Sequence, residues 1–240
     1  SCSLVGSEMC IRDSYYCDPA LLPREKIVEK LVALCDEGRC FDAGIFGTAP
    51  MLHILAAEGY GDIARRLLTK PEYPSYRAML DLGATTLWEH WPVQGFDGGY
   101  EAYDGSMSHP MHAAFDEWLY TGVAGLAARG SVREPWTFRW NDFPELNRAS
   151  AARRIPEGRI SSEWRRDGNS IVWKVEVPAG IEAQVVIPAR AGEIREGGRP
   201  IADRAETGRI RILPAASASG KQQLSVLSLI HISEPTRLQL

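Results

Sequence analysis

ATTLWEHWPVQGFDGGYEAYDGSMSHPM, residues 84–111, is the stretch on which the reading of the chain turns. Trp88, Trp91, Tyr100 and Tyr103 lie there beside Glu89, His90 and His109, spaced by glycines. The stretch has neither a helical nor a strand period of its own. A connection this long inside a compact domain is either functional or disordered. Disordered segments are poor in large aromatics, so a functional loop is expected. Carboxylates, imidazoles and flat rings together suit a polyhydroxylated ligand, whose apolar faces rings can cover while charged groups bond its hydroxyls.

Upstream, the pattern is helical. Residues 23–37 place Ile27, Leu31, Leu34 and Cys35 on one stripe, with Pro23 in the first turn and Gly38 as the stop. Thr48 is expected to cap a second helix with Pro50 in its first turn, running to Gly59. Asp62 is expected to cap a third, ended by Pro71. The short Gly59-Tyr60-Gly61 link implies a helical hairpin. A further short helix fits residues 75–82.

Downstream, Pro110 opens one more helix. Its expected apolar side carries Met111, Phe115, Trp118, Leu119, Gly122, Val123 and Leu126, and Gly130 is its expected end. From Trp136 the period falls to two. Ile160, Ser162 and Trp164 alternate, then Ile171, Trp173, Val175 and Val177, then Val185 and Ile187, then Ile210 and Ile212. Asp167-Gly168-Asn169, Pro178-Ala179-Gly180 and Gly197-Gly198 mark turns. Such spacing reads as an antiparallel β-sandwich, with the boundary near Gly130 to Glu134. The class is therefore α+β with more than one domain.

The chain has 240 residues, 45% hydrophobic and 24% charged, with formal net charge −4. That mild acidity carries no footprint of nucleic-acid binding. No run approaches the roughly 18 apolar residues of a membrane span. The two ends read as adapter rather than protein. Residues 227–237, LSLIHISEPTR, can be encoded by DNA whose opposite strand encodes residues 4–14, LVGSEMCIRDS. Both ends then come from one transposon-type sequencing adapter, and residues 1–14 and 227–240 are set aside as artefact. Without Cys2 and Cys10, the remaining Cys17, Cys35 and Cys40 form neither a disulfide framework nor a metal-ligand spacing. No cofactor motif is present.

Several words in order resemble the bacterial α-L-rhamnosidases of glycoside hydrolase family 78: Thr85-Thr86-Leu87-Trp88-Glu89-His90-Trp91, then Ser106-Met107-Ser108-His109-Pro110. Phe46-Gly47-Thr48-Ala49-Pro50, Glu72-Tyr73-Pro74-Ser75-Tyr76 and Glu117-Trp118-Leu119-Tyr120 match as well. The resemblance runs from about Ala43 to about Pro200. It implies the C-terminal part of an (α/α)6 barrel over residues 15–130 and a β-sandwich over residues 131–226. It implies an inverting hydrolase, which needs two carboxyl groups about 6.5–9.5 Å apart. Glu89 would be the general base. His109 would bond sugar hydroxyls or orient the water, and Trp88 and Trp91 would cover the sugar unless they are plain core. The general acid and most sugar-binding acidic residues of the family lie in an earlier segment that this chain lacks. His90 stands where the family often has Arg.

The implied partner is a rhamnose-containing oligosaccharide or glycoside, with no nucleic acid, membrane or metal. His90, His109 and His112 lack the HxxxH spacing of a zinc pair; His112 lies within a helix and, like His90, is a weaker candidate than His109. Two alternatives remain open. One is another inverting (α/α)6 glycosidase. The other is a carbohydrate-binding or structural module built on the β-sandwich, for which an outward row of aromatics would speak and inward Trp164 and Trp173 would not.

Overall fold

In the computed structural model the described residues are Tyr15, 23–36, 44–91, 96–97, 103–126, 134–188, 194–196, 199–200, 210–213, 221–227 and 236–239. They form two compact units, divided between Trp118 and Leu119. This division lies upstream of the Gly130–Glu134 position suggested by the change of period.

The first unit is helical: α1 (Arg24–Asp36), α2 (Gly44–Ala57), α3 (Gly61–Thr69), α4 (Tyr76–Asp81) and, after the long loop, a 3-10 turn (Pro110–Ala114) leading into α5 (Phe115–Trp118). Helix α2 is apolar almost all round, GIFGTAPMLHILAA; Met51, Leu52, Ile54 and Leu55 are buried, while Phe46 is exposed. It packs against α1, α3, α5 and the 3-10 turn. Leu31, Leu52, Ile54, Leu55, Met79 and Trp118 fill the core between them. The α2–α3 hairpin forms as expected, with Gly59 at φ 88° turning the chain.

Two expected caps are displaced. Helix α2 begins at Gly44, so Thr48 is a buried residue inside it and Pro50 lies within the helix. The apolar contacts on its other sides outweigh the hydrogen bond that proline removes. Helix α3 is entered from Tyr60, and Asp62 lies in its first turn, paired with Arg65 and Arg66. The short α4 has the cap its sequence suggests: the Ser75 hydroxyl accepts from Ala78 N–H at 2.9 Å.

The helix expected after Pro110 is not a uniform α-helix. It changes from 3-10 to α to a π turn, Leu119–Val123. A 3-10 turn advances more steeply per residue and a π turn less, so a stripe drawn at 3.6 residues drifts off the buried side. Met111 and Leu119 are therefore exposed, while His112 is wholly buried. The helix stops at Val123. Gly130 lies outside the described residues, as do Gly38, Gly197 and Gly198 and the adapter-like residues 1–14.

The second unit opens with that π turn and holds two sheets. One has the order β1 (Trp136–Arg139), β5 (Glu182–Pro188), β9 (Lys221–Leu227), β8 (Ile210–Leu213). The other runs β2 (Arg148–Ile155), β3 (Gly158–Asp167), β4 (Ser170–Glu176), β10 (Thr236–Gln239), β6 (Arg195–Glu196), β7 (Arg199–Pro200). Among the described strands all pairings are antiparallel except β1 with β5, which is parallel. The expected antiparallel sandwich thus carries one parallel pair at β1, in register Trp136 with Ala183 to Arg139 with Val186. Within the set-aside 227–240, residues 236–239 pair with β4.

Alternation does the rest. Ile160, Ser162 and Trp164 of β3 face inward with Ile171, Trp173 and Val175 of β4, and Trp164 stands directly opposite Trp173. The Gly168-Asn169 turn joins them, with Gly168 at φ 59°. The inward groups also hold the π turn. Asn141 Nδ2 donates to Gly122 O at 3.0 Å, Trp164 Nε1 to Val123 O at 2.8 Å and Ser162 Oγ to Ala124 O at 2.6 Å. The Ser162 oxygen in turn accepts from Trp173 Nε1 at 2.8 Å. Gly125, at φ 68°, turns the chain so closely onto Arg139 that a Cβ would stand 2.7 Å from its carbonyl oxygen.

Candidate active site

The described residues between α4 and Pro110 lie in no helix or strand, so their backbone groups need partners elsewhere. The two signature segments supply them to each other. His109 N–H donates to Leu87 O at 2.7 Å, and Glu89 N–H donates to Ser106 O at 2.8 Å. The Thr86 hydroxyl donates to Met107 O. Residues 86–90 and 106–109 are thus clasped along their length.

Glu89 sits at the centre of this clasp, half-exposed. Ser106 N–H donates to its Oε2 at 3.0 Å, returning the bond that Glu89 N–H gives to Ser106 O. That backbone bond holds the carboxyl below its ordinary range. Desolvation opposes the shift, and the nearby imidazoles of His109 and His90 assist it. The shift favours the ionised carboxylate.

The neighbouring peptides are held as well. Tyr103 Oη accepts from His90 N–H at 2.6 Å and donates to His90 O at 2.7 Å. Burial raises the Tyr103 phenol above its usual range. Gly105, at φ 138°, lies under the His90 ring, where a Cβ would stand 2.8 Å from Cδ2. On the other side, His112 Nδ1 is bonded to Trp88 O.

Among the expected site residues, Glu89 and His109 are brought together. The His109 ring is half-exposed, with a buried Nδ1 that has no partner among the described residues. Trp88 and Trp91 are buried instead, at 4% and 9% exposure. Trp88 packs edge-on to Phe96 at 5.6 Å and against Tyr103 at 5.2 Å. Trp91 packs on Tyr76 at 5.0 Å and on His112 at 4.6 Å. His112, a weaker candidate by sequence, and Tyr103, to which the sequence assigns no part, both hold the loop. The one available signal was a histidine three positions after His109 in an apolar turn. Among the described residues no group of three His, Cys, Asp or Glu side chains could hold a metal ion. No helix among them is long and apolar enough to cross a membrane.

The helical unit and the β unit each match a family model. Residues 19–123 match the bacterial alpha-L-rhamnosidase 6 hairpin glycosidase domain, and residues 135–201 match the bacterial alpha-L-rhamnosidase C-terminal domain. The chain belongs to the bacterial α-L-rhamnosidase family. An alpha-L-rhamnosidase of Streptomyces avermitilis is 30% identical over 168 residues, 69% of this chain but 16% of that protein. A crystal structure of Streptomyces avermitilis alpha-L-rhamnosidase complexed with L-rhamnose aligns with TM-score 0.66 and 25% identity, over 90% of this chain and 20% of that one. The alpha-L-rhamnosidase structure from Dictyoglumus thermophilum shares the fold, with TM-score 0.73 and 21% identity over 99% of this chain and 26% of that one. The chain spans 16–19% of the length of the curated relatives it matches.

Proposed function

We propose that this chain supplies the general base of an inverting α-L-rhamnosidase that releases terminal α-L-rhamnosyl residues from a rhamnose-containing oligosaccharide or glycoside. The observation that carries the proposal is the Glu89 carboxylate, kept ionised by Ser106 N–H at the join of the two signature segments. Glu89 takes a proton from a water that attacks the anomeric carbon, on the face opposite the leaving oxygen. His109 bonds a sugar hydroxyl. Trp88 and Trp91, both buried, pack the loop that carries these two groups. The general acid that protonates the leaving oxygen is supplied by sequence outside these 240 residues.

The buried Trp164 and Trp173 favour this reading over a carbohydrate-binding β-module, since neither ring is displayed to a ligand. The likeness to a structure holding L-rhamnose favours rhamnose over another sugar.

The test uses the complete enzyme that carries this chain, an aryl α-L-rhamnoside and proton NMR of the first product. The β anomer of rhamnose is expected first. Glu89→Gln is expected to lower kcat by about 10²–10⁴-fold. The 240-residue chain alone is expected to give no turnover. First release of the α anomer, or an active Glu89→Gln enzyme, would overturn the proposal.

A further inference from the structure

The geometry points to His112 as a positioning residue for Glu89: its Nδ1–H holds the Trp88 carbonyl, and with it the peptide from which Glu89 projects. This inference rests on the reading of Glu89 as general base only for its catalytic consequence, since the tether itself is a property of the folded loop.

A carbonyl oxygen can only accept, so Nδ1 is the protonated nitrogen of the His112 ring. Nε2 is then a buried acceptor, and it has no partner among the described residues. A phenylalanine or leucine would fill the same space without burying an unpaired nitrogen. The imidazole is therefore costly as packing, and the bond to Trp88 O is what it provides in return. The ring is wholly buried and locked from several sides. Trp91 lies against it at 4.6 Å, Tyr76 approaches edge-on at 5.8 Å, and Tyr76 Oη donates to the His112 carbonyl at 2.7 Å.

Burial keeps the ring neutral by lowering its proton affinity; the Trp88 carbonyl opposes this, and His109 and His90 add to it. Among the described residues, the other titratable groups near the ring are Tyr76, whose phenol burial pushes well above its usual range, and Glu89 beyond the tethered peptide. The consequence is a peptide fixed on both sides of the carboxylate, by His112 at Trp88 and by Tyr103 at His90. A displacement of about 1 Å at a reacting group can cost on the order of a hundredfold in rate.

The test compares His112→Phe, which keeps the ring packing without a donor, with His112→Asn, whose amide nitrogen can replace Nδ1–H. In the 240-residue chain, the Glu89 carboxyl is followed by carbon-13 NMR across pH. His112→Phe is expected to raise its titration midpoint towards the ordinary carboxylate value, as the Ser106 bond slackens, and His112→Asn is expected to keep it near wild type. An unchanged midpoint in His112→Phe, or an equal shift in both variants, would overturn the tether. Should His112→Phe fail to fold, nitrogen-15 shifts of the wild-type ring decide: Nδ1–H with a bare Nε2 supports the tether, and the opposite tautomer refutes it. In the complete enzyme, His112→Phe is expected to lower kcat about 10–100-fold with KM within about twofold, and His112→Asn to recover most of it. If instead Glu89→Gln retains activity, the general-base reading fails while the carbon-13 result still judges the tether.

Discussion

The signature loop of the helical unit and the π turn of the β unit meet the same demand by different means. Each has backbone groups that no regular ladder pairs. The loop pairs with itself, through segments 86–90 and 106–109, helped by Tyr103 and His112. The π turn is held by Trp164 and Ser162 of β3 and by Asn141 just after β1, which donate to the carbonyls of Val123, Ala124 and Gly122. The loop's bonds to Glu89 and His90 are exposed, whereas the Ser162 and Asn141 bonds are buried. A lost bond in the loop should mostly misdirect a carboxylate. A lost bond in the β unit should mostly cost stability, because a buried group is left unpaired.

Ser162→Ala is the sharpest way to break that contrast. It leaves Ala124 O and Trp173 Nε1 without their partner, and unfolding of the β unit in urea is expected to lose about 1–3 kcal/mol. A loss within about 0.5 kcal/mol would place the grip on the π turn among incidental contacts. Tyr103→Phe removes two bonds to His90 but in a half-exposed setting. Its expected cost to the helical unit is about 0.5–1.5 kcal/mol, with the Glu89 titration moved more visibly than the unfolding midpoint. Equal stability losses in Ser162→Ala and Tyr103→Phe would erase the distinction between the two regions.

The smallest effect concerns pH. His112 has a folded-state proton affinity below that of the unfolded chain, so below the ordinary imidazole value the unfolded state binds the extra proton. Its contribution to stability is therefore present above that value and declines as pH falls from near neutral towards the folded-state value. His112→Phe should flatten this part of the stability–pH curve for the helical unit. Glu89 has the same sign lower down: with its carboxyl held below the usual range, its contribution is present above the unfolded carboxylate value and lost as pH falls through the folded one. A wild-type curve already flat between neutral and mildly acidic pH would remove the buried neutral imidazole from the account.

Periodicity carried much of the architecture. The stripe of Ile27, Leu31, Leu34 and Cys35 is buried in α1, and the alternation of Ile160, Ser162 and Trp164 with Ile171, Trp173 and Val175 is the inner face of β3 and β4. These patterns are legible because the 3.6- and 2-residue repeats follow from backbone geometry alone. The pattern failed at Thr48 and Pro50, where the packing of an all-apolar helix overrode a plausible cap, and at Met111 and Leu119, where the helix changes its own period.

At the candidate site the residue types were readable and their duties were not. The sequence by itself determined the two-part α+β layout, the aromatic and carboxylate character of residues 84–111, and the two words that single out Glu89 and His109. Only the tertiary structure decided that Ser106 N–H would hold Glu89, that Trp88 and Trp91 would be packed away, and that His112 would reach back to the Trp88 carbonyl. The physical reason is that an irregular loop satisfies its backbone with partners 13 to 24 positions distant, such as Tyr103 for His90 and His112 for Trp88. No local period records such pairings, and they exist only once the chain has folded back on itself.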